Sequence, residues 1–384
     1  PPKESRRPME SRMKRFCLLL LMVPSALPAQ ERTFRWTNRF VLGTEQHLSA
    51  GLTFADVDGD GDTDALVAHG RHWPQPNEIY LNNGAAGFTV SYQLGSRSET
   101  TYALPAGDLD GDGDVDVVVA NDRAENWVYL NDGTGHFSPA WPVGPQVEPA
   151  RSALLYDLDR DGDLDLLITN RGAANGFFLN DGSGRFGPKR EFGEPRGSTI
   201  AVAVGDVDGD GDPDLVLANR DGQANQILLN DGRLGFAESR SYGTGSDETR
   251  SVALADVNGD GFLDIVNVNI GEPNRIYLGD GAGGFDQGTS VGGSEQSYAV
   301  VVLDVDRDGD IDVVVANVRG PNELYLNDGS GMTWVRTPLD GEPYTTYGVA
   351  AADLNGDGFA DLGFVNSGGP NRIFMNVEAG SRRD

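Results

Sequence analysis

The chain has 384 residues, with 59 Asp and Glu against 30 Lys and Arg and a formal charge of −29. Such an excess of negative charge excludes nucleic acid and anionic membrane surfaces as natural partners. A lone cysteine, Cys17, excludes a disulfide framework, so a chain with 52 Gly must be held together by other means.

The first segment has the pattern of an export signal. Arg12, Lys14 and Arg15 precede a short apolar run from Phe16 to Val23, and the small residues of Pro24 to Ala29 offer a cleavage point after Ala29. The run is too short to cross a bilayer. The pattern therefore predicts a cleaved signal peptide within residues 1–29, a secreted, periplasmic or cell-surface location, and no membrane insertion. Cys17 falls inside this segment, which leaves the mature chain without cysteine. Residues 30–378 are predicted as one repeat-built domain and 379–384 as a tail.

The repeat is a loop of the form D-x-[DN]-x-D-G-x-x-D. It begins at Asp56, Asp108, Asp157, Asp206, Asp256, Asp304 and Asp353, in steps of 48 to 52 residues. An apolar run follows each loop, as in Val117-Val118-Val119, Leu166-Leu167-Ile168 and Val313-Val314-Val315. These short runs are apolar on both faces, which suits strands covered by a neighbouring sheet on each side. A second strand follows, for example Val128-Tyr129-Leu130, then a turn, Asn131-Asp132-Gly133-Thr134-Gly135, then a more polar strand opened by Phe137. The apolar segment before the next Asp loop makes a fourth. Four short strands per unit and seven units predict an all-β fold, a seven-bladed β-propeller of four-stranded blades. A parallel β-helix is the rival repeat fold, but its rungs are far shorter.

The ends of the domain suggest how the ring closes. The last unit stops after Ile373-Phe374-Met375 without an outer strand, and Phe34-Arg35-Trp36 to Val41-Leu42-Gly43 is a spare one. Pairing the two would remove two exposed sheet edges.

The loops have the chemistry of a hard cation site, which takes six to eight oxygens from a flexible loop. In the first, Asp56, Asp58 and Asp60 stand at positions one, three and five, Asp62 at seven offers a backbone carbonyl, and Asp64 at nine closes the site. The same places hold Asp108, Asp110, Asp112, Asp114 and Asp116, then Asp157, Asp159, Asp161, Asp163 and Asp165, then Asp206, Asp208, Asp210, Asp212 and Asp214. The fifth loop has Asp256, Asn258, Asp260, Phe262 and Asp264, and the sixth has Asp304, Asp306, Asp308, Asp310 and Asp312. The seventh has Asp353, Asn355, Asp357, Phe359 and Asp361. Gly at position six, as Gly61 in the first, permits the sharp turn. These are not EF-hands, because the closing Glu at position twelve is missing and the loops lie between strands. The bland alternative is an Asp-Gly turn that merely links strands. Against it, the loops hold more than half of the acidic residues, and the acids outside them balance the bases. Carboxylates so crowded repel unless a cation or protons neutralise them. The expectation is Ca²⁺, about one per blade, in a structural role; Mg²⁺ prefers fewer carboxylates and more water.

These loops, the strand after each and the L-N-D-G-x-G-x-F turn resemble the FG-GAP/VCBS repeat family, which includes the calcium loops of integrin α-chain propellers. The resemblance covers residues 33 to 376, although the literal FG-GAP string is absent. It implies a seven-bladed propeller with calcium between the first two strands of each blade. It leaves function open among adhesion and recognition modules, lectins and parts of carbohydrate-active enzymes.

Strand direction puts the Asp loops and N-D-G turns on one face. The other face carries recurrent Asn, such as Asn121 and Asn126, with Arg71, Arg123, Arg171, Arg220 and Arg319 nearby, and the inter-blade loops add Tyr102, Tyr298, Tyr344 and Tyr347 and Arg151, Arg196 and Arg250. Repeated Asn can simply cap turns, and Glu–Arg pairs can tie blades together. Departures from the repeat are the better clue. Blade one reads His69-Gly70-Arg71-His72-Trp73, and His69, Arg71, His72 and Trp73 are its candidate ligand residues, as a sugar platform or an acid/base site. No G-x-S-x-G is present, and the G-x-G-x-x-G at Gly279–Gly284 leads into a strand, so it is a hairpin turn. The reading is a non-catalytic recognition or adhesion propeller for carbohydrate or extracellular protein. The alternatives are a polysaccharide lyase or glycoside hydrolase working on the face opposite calcium, and a structural module for assembly.

Overall fold

The computed structural model describes residues 32–380 apart from Glu342. The expected signal peptide over residues 1–29 and the end of the tail lie outside the described residues. No described residue is helical. The strands form seven antiparallel four-stranded units. Blade one is the simplest, with strands Gly51–Ala55, Asp64–Ala68, Glu78–Leu81 and Val90–Gln93 paired in sequence order. In blades two and three one strand, Phe137–Tyr156, leaves the outer edge of one blade and becomes the inner strand of the next.

Period-two alternation explains why the middle strands are apolar on both sides. Val117 and Val119 point into the seam between blades one and two, while Val118 points into the seam between blades two and three. Likewise Ala65 and Val67 face blade seven, while Leu66 and Ala68 face blade two. The core is thus a ring of seven apolar seams, one at each blade–blade junction.

The ring closes between blades seven and one. Arg32–Arg35 pairs with Met375–Glu378, and Val41–Leu42 pairs with Asn371–Arg372, so the start of the domain supplies the outer strand of blade seven. Leu42, 1 % exposed, sits in the closing seam with Val67, Tyr80, Val365 and Ile373.

Candidate functional site

Each Asp loop is organised by its own carboxylates. Asp56 accepts from the N–H of Gly59 at 2.9 Å and of Gly61 at 3.0 Å, and Asp60 accepts from the N–H of Asp62 at 2.9 Å. Gly61 has a φ of 92° with open space where a Cβ would lie, so its backbone conformation alone demands glycine. The position-nine Asp64 is fully buried and accepts from Val57 N–H at 3.0 Å and Asn82 N–H at 2.8 Å. The same clamp recurs around the ring, ending with Asp361 on Leu354 N–H and Asn376 N–H. Position nine therefore ties the loop to the turn after the third strand and keeps further lone pairs for a cation. The position-seven side chain lies beside the turn after the third strand, where a Cβ on Gly84 would stand 2.7 Å from Asp62 Oδ2 and one on Gly133 2.6 Å from Asp114 Oδ2. The backbone carbonyl is the group position seven is expected to give a cation.

Carboxylate oxygens of Asp56, Asp58 and Asp64 lie within 4.8 Å of one another, as do those of Asp108, Asp110 and Asp116 and of Asp157, Asp159 and Asp165. Burial pushes Asp64 up to about 6 and Asp312 and Asp361 up to about 7, so each loop holds a carboxyl whose charge is poorly solvated. An all-oxygen set with several carboxylates fits calcium.

The loops are also bound to the neighbouring blade. The amide of Asn131, at the blade-two turn, donates to Val57 O of the blade-one loop at 2.8 Å and to Val115 O at 3.0 Å. Asn180, Asn327 and Asn376 make the equivalent cross-blade bonds, and Asn82 reaches Leu354 O of blade seven at 2.9 Å.

On the opposite face the recurrent Asn residues cap turns. Asn126 Oδ1 accepts from Asn121 N–H at 2.8 Å, and Asn121 Nδ2 donates to Glu125 O at 2.6 Å. The same cap appears from Asn77 on His69 N–H to Asn371 on Asn366 N–H, so these amides serve the blade.

A different set of residues faces the ring axis. The inner strands of blades two to seven each carry a register shift, and the skipped residues are Tyr102, Arg151, Ile200, Arg250, Tyr298 and Tyr347. A β-bulge re-aims a side chain. All six line one axial cavity of about 170 Å³, together with Arg71, His72, Arg171 and Arg220 from the turns beyond second strands. The guanidinium of Arg71 lies 3.7 Å over the Tyr347 ring, Arg151 4.7 Å over Tyr102, and Arg250 5.4 Å over Tyr298. Arg151 pairs with Asp122 at 2.8 Å, Arg171 with Asp221 at 2.7 Å and Arg220 with Glu248 at 3.1 Å. Among the described residues no carboxylate pairs with Arg71 or Arg250, and Arg71 Nη1 is enclosed without a hydrogen-bond partner. Burial pushes Arg250 down to about 10, still a cation at neutral pH, and lowers Arg71 in the same sense. Among the described residues no Asp or Glu lines this cavity. His72 also lines a groove of about 610 Å³ between blades one and two, with Arg97, Glu99 and Arg123.

The four candidates of blade one do not form one patch. Gly70, with a φ of 90° and no room for a Cβ beside Glu99 O, turns the chain sharply. His69 before it is fully buried, Arg71 and His72 after it line the axial cavity, and Trp73 is 72 % exposed and lines neither space. The sequence offered most of the axial residues among others, Arg123, Arg196, Arg319 and Tyr344, that do not line the cavity, and it did not show which converge. The signal was a position, after a Ser or Thr in five of these six blades and after Ala150 in the other, that varies between blades.

A model of the FG-GAP-like repeat matches the chain over residues 56–119, 108–168, 157–217, 206–267, 256–315 and 304–364, each window running from one Asp loop to the strand after the next. The chain belongs to the FG-GAP-like repeat family. No curated protein sequence matches it. Among solved structures, this FG-GAP-like propeller is similar to the BP39L lectin of Burkholderia pseudomallei, with 14 % identity, a TM-score of 0.68, and 87 % of this chain and 98 % of that chain covered. It is also similar to an Agrocybe aegerita lectin described as recognising non-reducing terminal N-acetylglucosamine, with 19 % identity, a TM-score of 0.57, and coverage of 85 % and 87 %. BBS1N, solved in complex with ARL6DN, aligns at 12 % identity and a TM-score of 0.59 over 91 % and 98 % of the two chains. At these identities the FG-GAP-like chain shares a fold with all three.

Proposed function

We propose that the protein is a calcium-loaded recognition propeller, exported from the cell, that takes an acidic carbohydrate at the mouth of its axis. The axial cavity carries the reading: five arginines converge there, two without a carboxylate partner, and three of the guanidiniums lie over tyrosine rings. Stacking leaves the edge of a guanidinium free to fork onto a carboxylate or sulfate. The axial space suits a single charged sugar unit, and the adjoining groove of about 610 Å³ suits the units that follow. Two of the similar folds are lectins, which supports carbohydrate as the ligand class. Hydrolysis by paired carboxylates has no material among the described axial residues. Calcium in the Asp loops would fix the turns that join blade to blade and so hold the axial residues in register.

The test is retention of calcium-loaded protein on an array of uronate-bearing, sulfated and neutral glycans, with released product recorded alongside. Retention on acidic glycans without product is the expected result. Retention on neutral glycans alone overturns the acidic ligand and keeps the recognition module. Release of product makes the protein an enzyme. Binding to no glycan removes carbohydrate as the ligand and leaves an extracellular protein partner.

A further inference from the structure

Blade one departs from the repeat a second time, away from the axis. His47 lies in the segment entering the blade, His69 follows its second strand, and Glu78 opens its third. Nε2 of His47 is 3.6 Å from Glu78 Oε1, Nε2 of His69 is 3.4 Å from Glu78 Oε2, and the two rings lie 4.5 Å apart. Glu45 Oε2 is 3.3 Å from His47 Nε2 and is the exposed member of the group. Both imidazole Nε2 atoms are enclosed and have no hydrogen-bond partner, and His69 is fully buried. These separations are long for hydrogen bonds. They match a tetrahedral site, where metal–ligand bonds of about 2.0–2.2 Å set ligand atoms roughly 3.3–3.6 Å apart.

The surroundings support the same chemistry. His69 Nδ1 is 3.2 Å from Ser49 Oγ, which orients the ring and directs Nε2 at Glu78, and the Tyr80 hydroxyl donates to the same Glu78 oxygen, Oε2. Such outer contacts hold metal ligands in place. Blade six makes the comparison. It has the same Asn–Glu–x–Tyr pattern at Asn322, Glu323 and Tyr325, and the buried Glu323 is neutralised by Arg336. Arg336 is the cross-strand partner of Tyr325, whereas the partner of Tyr80 is Ser91. Blade one thus keeps the carboxylate, lacks the arginine, and brings two imidazoles in its place.

We propose that His47, His69 and Glu78 hold one transition-metal ion of the zinc class, with Glu45 or water as the fourth ligand. Two nitrogens and a carboxylate suit zinc, cobalt or nickel and do not suit calcium, so this site is separate from the Asp loops. It stands independently of the axial ligand.

The test uses full-length protein stripped of metal, reloaded with excess calcium and titrated with cobalt(II), then with zinc. The expected result is one cobalt ion per chain with the strong visible absorption of a tetrahedral site, displaced by zinc. His69→Asn installs the residue that the other six blades carry, so it should fold, and it is expected to weaken binding at least about 100-fold. His47→Gln is the second variant. A zinc-dependent rise in melting temperature should appear in the wild type and vanish in both. Absence of the tetrahedral spectrum, or equal cobalt binding by wild type and His69→Asn, overturns the proposal.

Discussion

Asn131 offers the sharpest test of how the Asp loops couple one blade to the next. Its side chain is buried, and its amide donates to Val57 O of blade one at 2.8 Å and Val115 O of blade two at 3.0 Å. Asn131→Ala strands both carbonyls. At about 1 kcal/mol for each net hydrogen bond, rising where the acceptor stays dry, the cost is about 2–4 kcal/mol. Asn131→Asp keeps the shape but puts an acceptor-only anion against two carbonyls, so it should cost more than the alanine. A protonated carboxyl can donate once, so the aspartate variant should recover part of the loss at low pH and the alanine variant should not. The assay is urea denaturation of calcium-loaded protein, with the midpoint read at a fixed slope. If both variants fall within about 0.5 kcal/mol of wild type, the cross-blade bond carries no stability and the coupling argument fails.

Other outcomes follow from the same geometry. Chelation should lower the melting temperature steeply, since each loop held at a hundredfold excess of calcium over its dissociation constant adds about 2.7 kcal/mol, and metal analysis should find close to one calcium per blade. A melt indifferent to chelator and calcium contradicts the structural role. Without calcium, the position-nine carboxyls sit above their ordinary value because burial disfavours the charged form: Asp64, Asp116, Asp165 and Asp214 at about 6, Asp312 and Asp361 at about 7. The folded chain then binds more protons than the unfolded one, so calcium-free stability should fall as pH rises from about 4 to about 7, and the increment from calcium should grow over that range. Melting curves at pH 5 and 8 check it, and greater calcium-free stability at pH 8 refutes it. Leu42→Ala should cost about 3 kcal/mol by urea titration, because the side chain is 1 % exposed in the closing seam. A neutral result would mean that the first strands do not lock the ring.

The Asp loops were legible as turns because each loop is written in nine consecutive residues, and seven copies at even spacing fix the unit. Closure was legible for a related reason: a repeat that lacks its last strand and a chain start that has one can satisfy each other. The axial site was not legible as a site. Tyr102, Arg151, Arg250, Tyr298 and Tyr347 come one per blade, far apart in sequence, and each reaches the axis through a bulge that breaks the period-two alternation of its strand. The place of His69 was hidden for another reason. Its neighbours suggested a surface platform, whereas it occupies the position of the buried Asn of the other blades and faces Glu78 and His47, which belongs to another loop.

The central claim is that the axial arginines read an anionic sugar. Its most direct test is calorimetric titration of calcium-loaded protein with digalacturonate and with neutral galactobiose, repeated on Arg250→Gln and Arg71→Gln. The account predicts that the acidic disaccharide binds, that the neutral one does not, that added salt weakens the affinity, and that each variant loses at least about tenfold. Equal binding of the two disaccharides, or variants that bind digalacturonate as the wild type does, would contradict it.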